Sequence, residues 1–317
     1  MGFYSAKLRL ASILAGLGIA AIFTLIVFAI ARYFYGTSLS LGFISIILIF
    51  VLILDIVQYL IGPYLIGRAF RTREITGADP QYQWLLDTVQ DVCTANGQEK
   101  PRVYIAGVPF PNAFAYGSIL SGRRLAVTAG LIQILDRDEV KAVIAHEVGH
   151  LRHHDVALLM AIGIIPTIIF YLGYSLLFSG GGGRNQNSGY GMLIAIALIA
   201  VSFIFNIMIL GVNRLRESYA DMNSVTVPNG PEKLQTALAK IVSYTPPGGR
   251  ARRSQSKSSF TNMLMLTDPA GGERKDHRTL LNEWKTAKVS FLSSIFSNHP
   301  HPAKRIQALE KIRQRSQ

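Results

Sequence analysis

Five consecutive residues carry the clearest chemistry in this chain: His146-Glu147-Val148-Gly149-His150. On a helix, residues four apart lie on one face, with Cβ atoms about 5–6 Å apart. Two imidazoles placed that way can converge on a zinc ion about 2.0–2.1 Å from each nitrogen. Glu147 is offset from that face and can reach a water on the metal. The pentapeptide therefore offers two ligands and a general base together. The same spacing also arises by chance on helix surfaces, so its surroundings decide what it means.

A catalytic zinc needs a third protein ligand and an open position. His153 and His154 follow closely, but His154 lies roughly 12 Å beyond His146 along a helix axis. Three ligands in that arrangement cannot share one metal unless the helix breaks, so both histidines read as interfacial polar residues. The longer pattern that adds a Gly and a third His also fails, because those positions hold His153 and Val156. Glu217, in Arg216-Glu217-Ser218-Tyr219-Ala220-Asp221, is the stronger third ligand. Asp221 lies one turn further on and can accept the free N–H of a ligand histidine, fixing its tautomer. The expected metal content is one zinc per chain.

Several elements must position these groups. Asp136 with Glu139 three residues on forms a capping-box-like helix start, and Val140, Val143 and Ile144 begin an apolar stripe. The motif thus falls mid-helix, on a helix that either runs on into the next apolar segment or kinks near His154. Upstream, Gln81–Ala95 has helical apolar spacing and stops at Asn96-Gly97. Arg102–Ala106 is strand-like. Phe114–Leu120 and Arg123–Ala129, separated by Ser121-Gly122, read as a β-hairpin. Pro302–Arg315 reads as a short terminal helix. Thr72–Pro80 reads as a polar linker, and Thr245–Ser259 as a solvated one.

The chain has 317 residues, half of them hydrophobic, and the apolar residues are gathered into four runs. A helix needs about 20 apolar residues to cross a hydrocarbon core. Leu10–Ala31, Leu39–Ile66, Val156–Phe178 and Met192–Val212 all meet that length, and Asp55 is the only charge within them. Lys7 and Arg9 before the first run, and Ala29-Ile30-Ala31 within it, suggest a signal peptide. The stretch is too long for one and reads as an uncleaved anchor. The return of the fourth run antiparallel to the third brings Glu217 back near His150.

The expected architecture is a mainly α, multi-pass membrane protein: four transmembrane helices with a cytoplasmic α+β metallopeptidase domain. Residues 1–67 form one transmembrane hairpin and 156–212 a second. Residues 68–155 and 213–317 form the two catalytic segments. Lys7, Arg9, Arg68, Arg71, Arg73, Arg152, Arg214 and Arg216 flank one side of the spans, whereas the connecting loops hold only Arg32 and Arg184. The positive-inside rule places both termini and both polar segments in the cytoplasm, with the Gly-rich loop Ser179–Gly191 outside. The single Cys93 fits a reducing compartment. Much of the net charge of +13 comes from residues after the fourth run, including Arg250, Arg252, Arg253 and Lys257. Beside a membrane, such a segment attracts anionic lipid headgroups. No nucleic-acid reader motif accompanies it, and no nucleic-acid partner is expected.

Charges on both sides of the motif, Arg137 to Lys141 and Arg152 with Asp155, favour a site at the membrane boundary over one within the bilayer. A scaffold with a structural zinc would supply four protein ligands, and only three are found. Asp55 and Asn206, inside the spans, read as structural.

With these residues in view, the chain resembles the HtpX-type membrane zinc metalloproteases, relatives of the CAAX prenyl proteases. The resemblance runs from about Gln81 to Arg305. It rests on Asn112-Ala113-Phe114-Ala115-Tyr116-Gly117, the H-E-V-G-H helix, Glu217 with Asp221, and His299-Pro300 followed by Arg305. It implies a gluzincin-like protease, facing the cytoplasm, that cleaves membrane or misfolded proteins in membrane protein quality control. Asn112 and the strand after it, including Phe114 and Tyr116, are implied to bind extended peptide. An exposed edge strand can indeed pair with a substrate backbone. Arg305 is implied to support the metal ligands, and His299 to contact the reacting carbonyl. A second histidine, His301, leaves open which imidazole faces the site.

Overall fold

The computed structural model describes residues 41–152, 155–179, 188–244, 276–289 and 300–316. They fall into two compact units: one from the described residues of Met1–Tyr59 and Ala157–Val212, the other from those of Leu60–Val156 and Asn213–Gln317.

The first unit is helical. It holds most of α1 (Leu41–Ala69), nearly all of α5 (Asp155–Ser179) and the greater part of α6 (Ser188–Asn223). Within it, Ile169, Leu198 and Phe205 form a buried cluster, joined by Ile165, Leu172 and Val201. Among the described residues, one stretch, Gly191–Thr226, is long and apolar enough to cross a membrane. The expected span Met192–Val212 lies inside it. Leu39–Ile66 and Val156–Phe178 fall largely on α1 and α5, and Leu10–Ala31 lies outside the described residues.

The second unit is α+β. A four-stranded sheet runs in the order β1-β2-β4-β3, with β1 Thr72–Glu74, β2 Arg102–Ala106, β3 Ala113–Ser118 and β4 Gly122–Thr128. β2 and β4 are parallel, and the other two pairings are antiparallel. Both faces are covered. Val103, Ile105, Ala113, Leu125 and Val127 point to one side, against Leu85 and Val89 of α2 (Gln83–Ala95), Leu131 of α3 (Ala129–Ile134), Val143 and Ile144 of α4 (Arg137–Arg152), and Leu234 and Leu238 of α7 (Gly230–Ser243). Tyr104, Ala106, Phe114, Tyr116 and Ala126 point to the other, against Ile66 at the end of α1 and Phe70 just beyond it. This alternation is the period-two pattern of strands buried on both faces. Two further helices, α8 (His277–Thr286) and α9 (Pro302–Ser316), complete the described part of this unit.

Local chemistry sets the boundaries. The start of α4 is a reciprocal capping box: Asp136 N–H donates to Glu139 Oε2 at 2.9 Å, and Glu139 N–H donates to Asp136 Oδ1 at 2.8 Å. α4 ends at Arg152 and α5 begins at Asp155, with His153 and His154 outside the described residues. The hairpin forms, but its loop begins two residues before the expected Ser121-Gly122 turn and ends one residue earlier than that turn. Ser118 pairs with Gly122, so Ile119, Leu120 and Ser121 make a three-residue loop. Ser118 N–H donates to Ser121 Oγ at 2.8 Å, and Gly122 takes the left-handed φ of 70° that such loops require. β1 lies within the segment expected to be linker.

Candidate active site

α4 carries the histidine pair on its buried face. His146 is 0% exposed, and its Nε2 lies 3.3 Å from His150 Nε2. α6 brings Glu217 to the same place: Oε2 is 3.6 Å from His146 Nε2, and Oε1 is 3.5 Å from His150 Nε2. One ligand atom from each of the three residues lies within 4.8 Å of the others. Bonds of about 2.0–2.2 Å in a tetrahedral site put neighbouring ligand atoms roughly 3.3–3.6 Å apart. Imidazole nitrogen and carboxylate oxygen are also donor types that zinc accepts, so the residues present fit a tetrahedral metal in spacing and chemistry.

Gly149 explains how α6 comes so close. A Cβ there would lie 3.0 Å from Asn223 Cβ and 3.1 Å from Ala220 Cα. Glycine inside a helix costs about 0.5–1 kcal/mol, so a packing reason is expected. Asn223 fastens the contact by donating from Nδ2 to Ala145 O at 2.5 Å. Nothing in the sequence pattern marks Asn223. Gly149 could have been suspected from its place between the two histidines.

Outside the ligand triangle lies a buried charge network. His146 Nδ1 is 3.0 Å from Asp221 Oδ1, which leaves Nε2 for the metal side. Arg305, in the first turn of α9, grips Asp221 with both ends of its fork: Nε to Oδ2 at 3.0 Å and Nη2 to Oδ1 at 2.6 Å. Its Nη1 is 3.4 Å from Glu217 Oε2. Burial pushes the Asp221 carboxyl up, but the Arg305 guanidinium and the His146 N–H outweigh it and hold it below the usual carboxylate range. Burial alone would lower the Arg305 guanidinium, and Asp221 and Glu217 raise it above its ordinary value instead. α9 is itself held to α7, where Gln235 Nε2 donates to Ile306 O at 2.9 Å.

Glu147 is 4% exposed and lies between the histidines and the sheet edge. Its Oε2 accepts the Ala115 N–H at 2.9 Å, so the outer edge of β3 borders the site. Burial pushes the Glu147 carboxyl up. His150 and His146 pull it the other way without cancelling the shift.

The remaining candidates separate. Asn112 is fully buried, and its N–H donates to Thr128 Oγ1 at 2.8 Å at the entry to β3. Phe114 and Tyr116 are 3% and 2% exposed and pack with Phe70 on the sheet face opposite Ala115. Their side chains belong to the core, so the part of this strand open to a peptide is its backbone edge. His301 Nδ1 accepts the Ala303 N–H at 3.2 Å at the start of α9, and its ring meets Trp284 edge-on at 6.4 Å. That is a capping role. His299 lies outside the described residues, as do Arg250, Arg252, Arg253 and Lys257.

Residues 80–313 match Peptidase family M48. The chain is 52% identical over 320 residues to a protein named Protease HtpX homolog from Thermoplasma acidophilum, covering 99% of each. A Protease HtpX homolog from Picrophilus torridus is 52% identical over 315 residues, also covering 99% of each. Protease HtpX homolog 2 of Saccharolobus solfataricus is 47% identical over 322 residues, covering 98% of this chain and 99% of that one. Among solved structures, the fold is similar to that of S. mikatae Ste24p, with a TM-score of 0.56 and 17% identity, covering 96% of this chain and 67% of that one.

Proposed function

The chain belongs to peptidase family M48 and is a metalloprotease, and from that premise we propose that it is a zinc endopeptidase of the cell membrane, cutting membrane or misfolded polypeptides as part of protein quality control. His146, His150 and Glu217 are the proposed metal ligands, and Glu147 the proposed general base. The observation that carries this reading is the spacing of the three ligand atoms, with Glu147 beside them on the same helix as the histidines and bonded to the edge strand. When bound, zinc supplies Lewis-acid polarisation of a carbonyl and lowers the pKa of water.

The protein's own groups do the rest. Ala115 N–H fixes one oxygen of Glu147 at 2.9 Å, and Oε1 is left to take a proton from the attacking water and pass it to the leaving amine. The outward backbone edge of β3 pairs with an extended substrate, placing a peptide bond beside Glu147. Asp221 and Arg305 hold the His146 ring at the angle and tautomer that metal binding needs. The purified protein should carry about one zinc per chain and cleave casein. Chelation should abolish cleavage, and added zinc should restore it. Undiminished cleavage by metal-free protein would refute the reading.

The proposed topology has four spans, with both termini, segments 68–155 and 213–317 and the active site in the cytoplasm. Anionic lipid headgroups are the proposed partners of the basic residues 250–257. Ser188→Cys should be labelled by a membrane-impermeant thiol reagent from outside intact cells. Labelling only after permeabilisation would reverse the orientation.

His299 is proposed to donate to the developing oxyanion. Its loss should reduce kcat by about a hundred- to a thousand-fold with little change in zinc content. His301→Ala should instead weaken the start of α9. Comparing the two variants separates the roles: a rate loss confined to His301→Ala would move the oxyanion contact to that residue.

A further inference from the structure

Among the described residues, Ile119 and Leu120 are the two most exposed large apolar side chains, at 83% and 69%. Every other exposed large hydrophobic residue described lies on α1, α5 or α6, the long apolar helices that the membrane reading places wholly or partly in lipid. Among the described residues of the second unit, the hairpin tip and the end of α1 (Ile61, Tyr64, Leu65) thus share the surface character of a spanning helix. Turn chemistry does not ask for it. The loop is closed by Ser118 and Ser121, whose side chains bond each other and accept from each other's backbone N–H. Loop positions of this kind favour small polar residues.

The packing of the second unit gives the tip a direction. The Phe114 ring lies 4.8 Å from Phe70, just past the end of α1. Two residues further along β3, Tyr116 pairs with Arg124, and the Arg124 guanidinium lies 5.2 Å from the Tyr64 ring. Moving along β3 toward the tip is therefore moving back along α1, from Phe70 to Tyr64. A strand advances about 3.3 Å per residue and a helix about 1.5 Å. The further three residues to Ile119 carry the tip past Tyr64 toward Ile61. Ile61, Tyr64 and Leu65 are exposed there, and Arg124, stacked over Tyr64, Tyr104 and Tyr116, supplies a cation at the base of the tip. Aliphatic residues outermost, with tyrosine and arginine behind them, is the order of side chains at a membrane–water interface.

We infer that the β3–β4 hairpin inserts Ile119 and Leu120 into the lipid at the membrane surface, tying the edge strand beside Glu147 to the bilayer. This rests on the membrane reading given above. Its consequence is that a polypeptide pairing with β3 is met at the lipid surface.

The full chain in nanodiscs tests it, with an environment-sensitive fluorophore on Leu120→Cys, Asp138→Cys or Phe203→Cys, one at a time; native Cys93 is buried and shielded from the reagent. Asp138 is 73% exposed at the start of α4, and Phe203 is an exposed apolar residue of α6. The label at 120 should shift to the blue and lose intensity to quencher-bearing lipids, as the label at 203 should. The label at 138 should respond only to aqueous iodide. If 203 is quenched by lipid while 120 behaves like 138, the insertion is wrong and the membrane reading stands. If neither 120 nor 203 meets lipid, both fail. Shielding of 120 from iodide without lipid quenching would assign the tip to a protein contact and overturn the proposal.

Discussion

Glu147→Gln is expected to keep the protein loaded with metal while lowering its cleavage rate by about a hundred- to ten-thousand-fold. The amide has the same shape and can still accept the Ala115 N–H, so the hold of β3 on this side chain survives. What is lost is a group able to take up a proton. Glu147 lies outside the set His146, His150 and Glu217, so the metal should not notice the change. Casein cleavage and zinc content, measured on one preparation, check both halves. Full turnover by this variant would remove Glu147 from the mechanism.

Glu217→Ala is expected to release the metal and abolish cleavage together. Its carboxylate lies within reach of both imidazoles, and α6 is pinned against α4 through Gly149 and Asn223, which holds it there. Arg305→Ala should act in the same direction more weakly. Removing a partner outside the ligand set typically costs about 10–100-fold in metal affinity. It should also leave Asp221 buried without its cation, which costs about 3–5 kcal/mol of stability. A lowered Tm therefore accompanies Arg305→Ala. His153→Ala and His154→Ala should change metal affinity little. Both lie too far along the helix axis from His146 to share its metal.

The parts of this site that rest on short-range chemistry were legible in the sequence. The capping box at Asp136 and Glu139 and the four-residue spacing of the histidines are local rules, and both appear as expected. The approach of Glu217 to the histidines was legible because one helix continues from the fourth apolar run into Arg216-Glu217. Other features were not. β1 is too short to show a pattern, and its strand character comes from pairing with β2. The hairpin turn moved because the side chains of Ser118 and Ser121 close the loop, a preference that Ser121-Gly122 as a dipeptide conceals. The peptide-binding role of Phe114 and Tyr116 comes from resemblance alone, and alternation does not say which pair of strand residues is buried deeper, since this sheet is covered on both faces. The grip of Arg305 on Asp221 joins groups far apart in the chain, and no periodicity announces such a pairing.

The most direct test is the zinc content of wild type, Glu147→Gln and Glu217→Ala purified side by side. The proposed ligand set requires about one zinc per chain in the first two and almost none in the third. Metal retained at full occupancy by Glu217→Ala, or lost from Glu147→Gln, would contradict it.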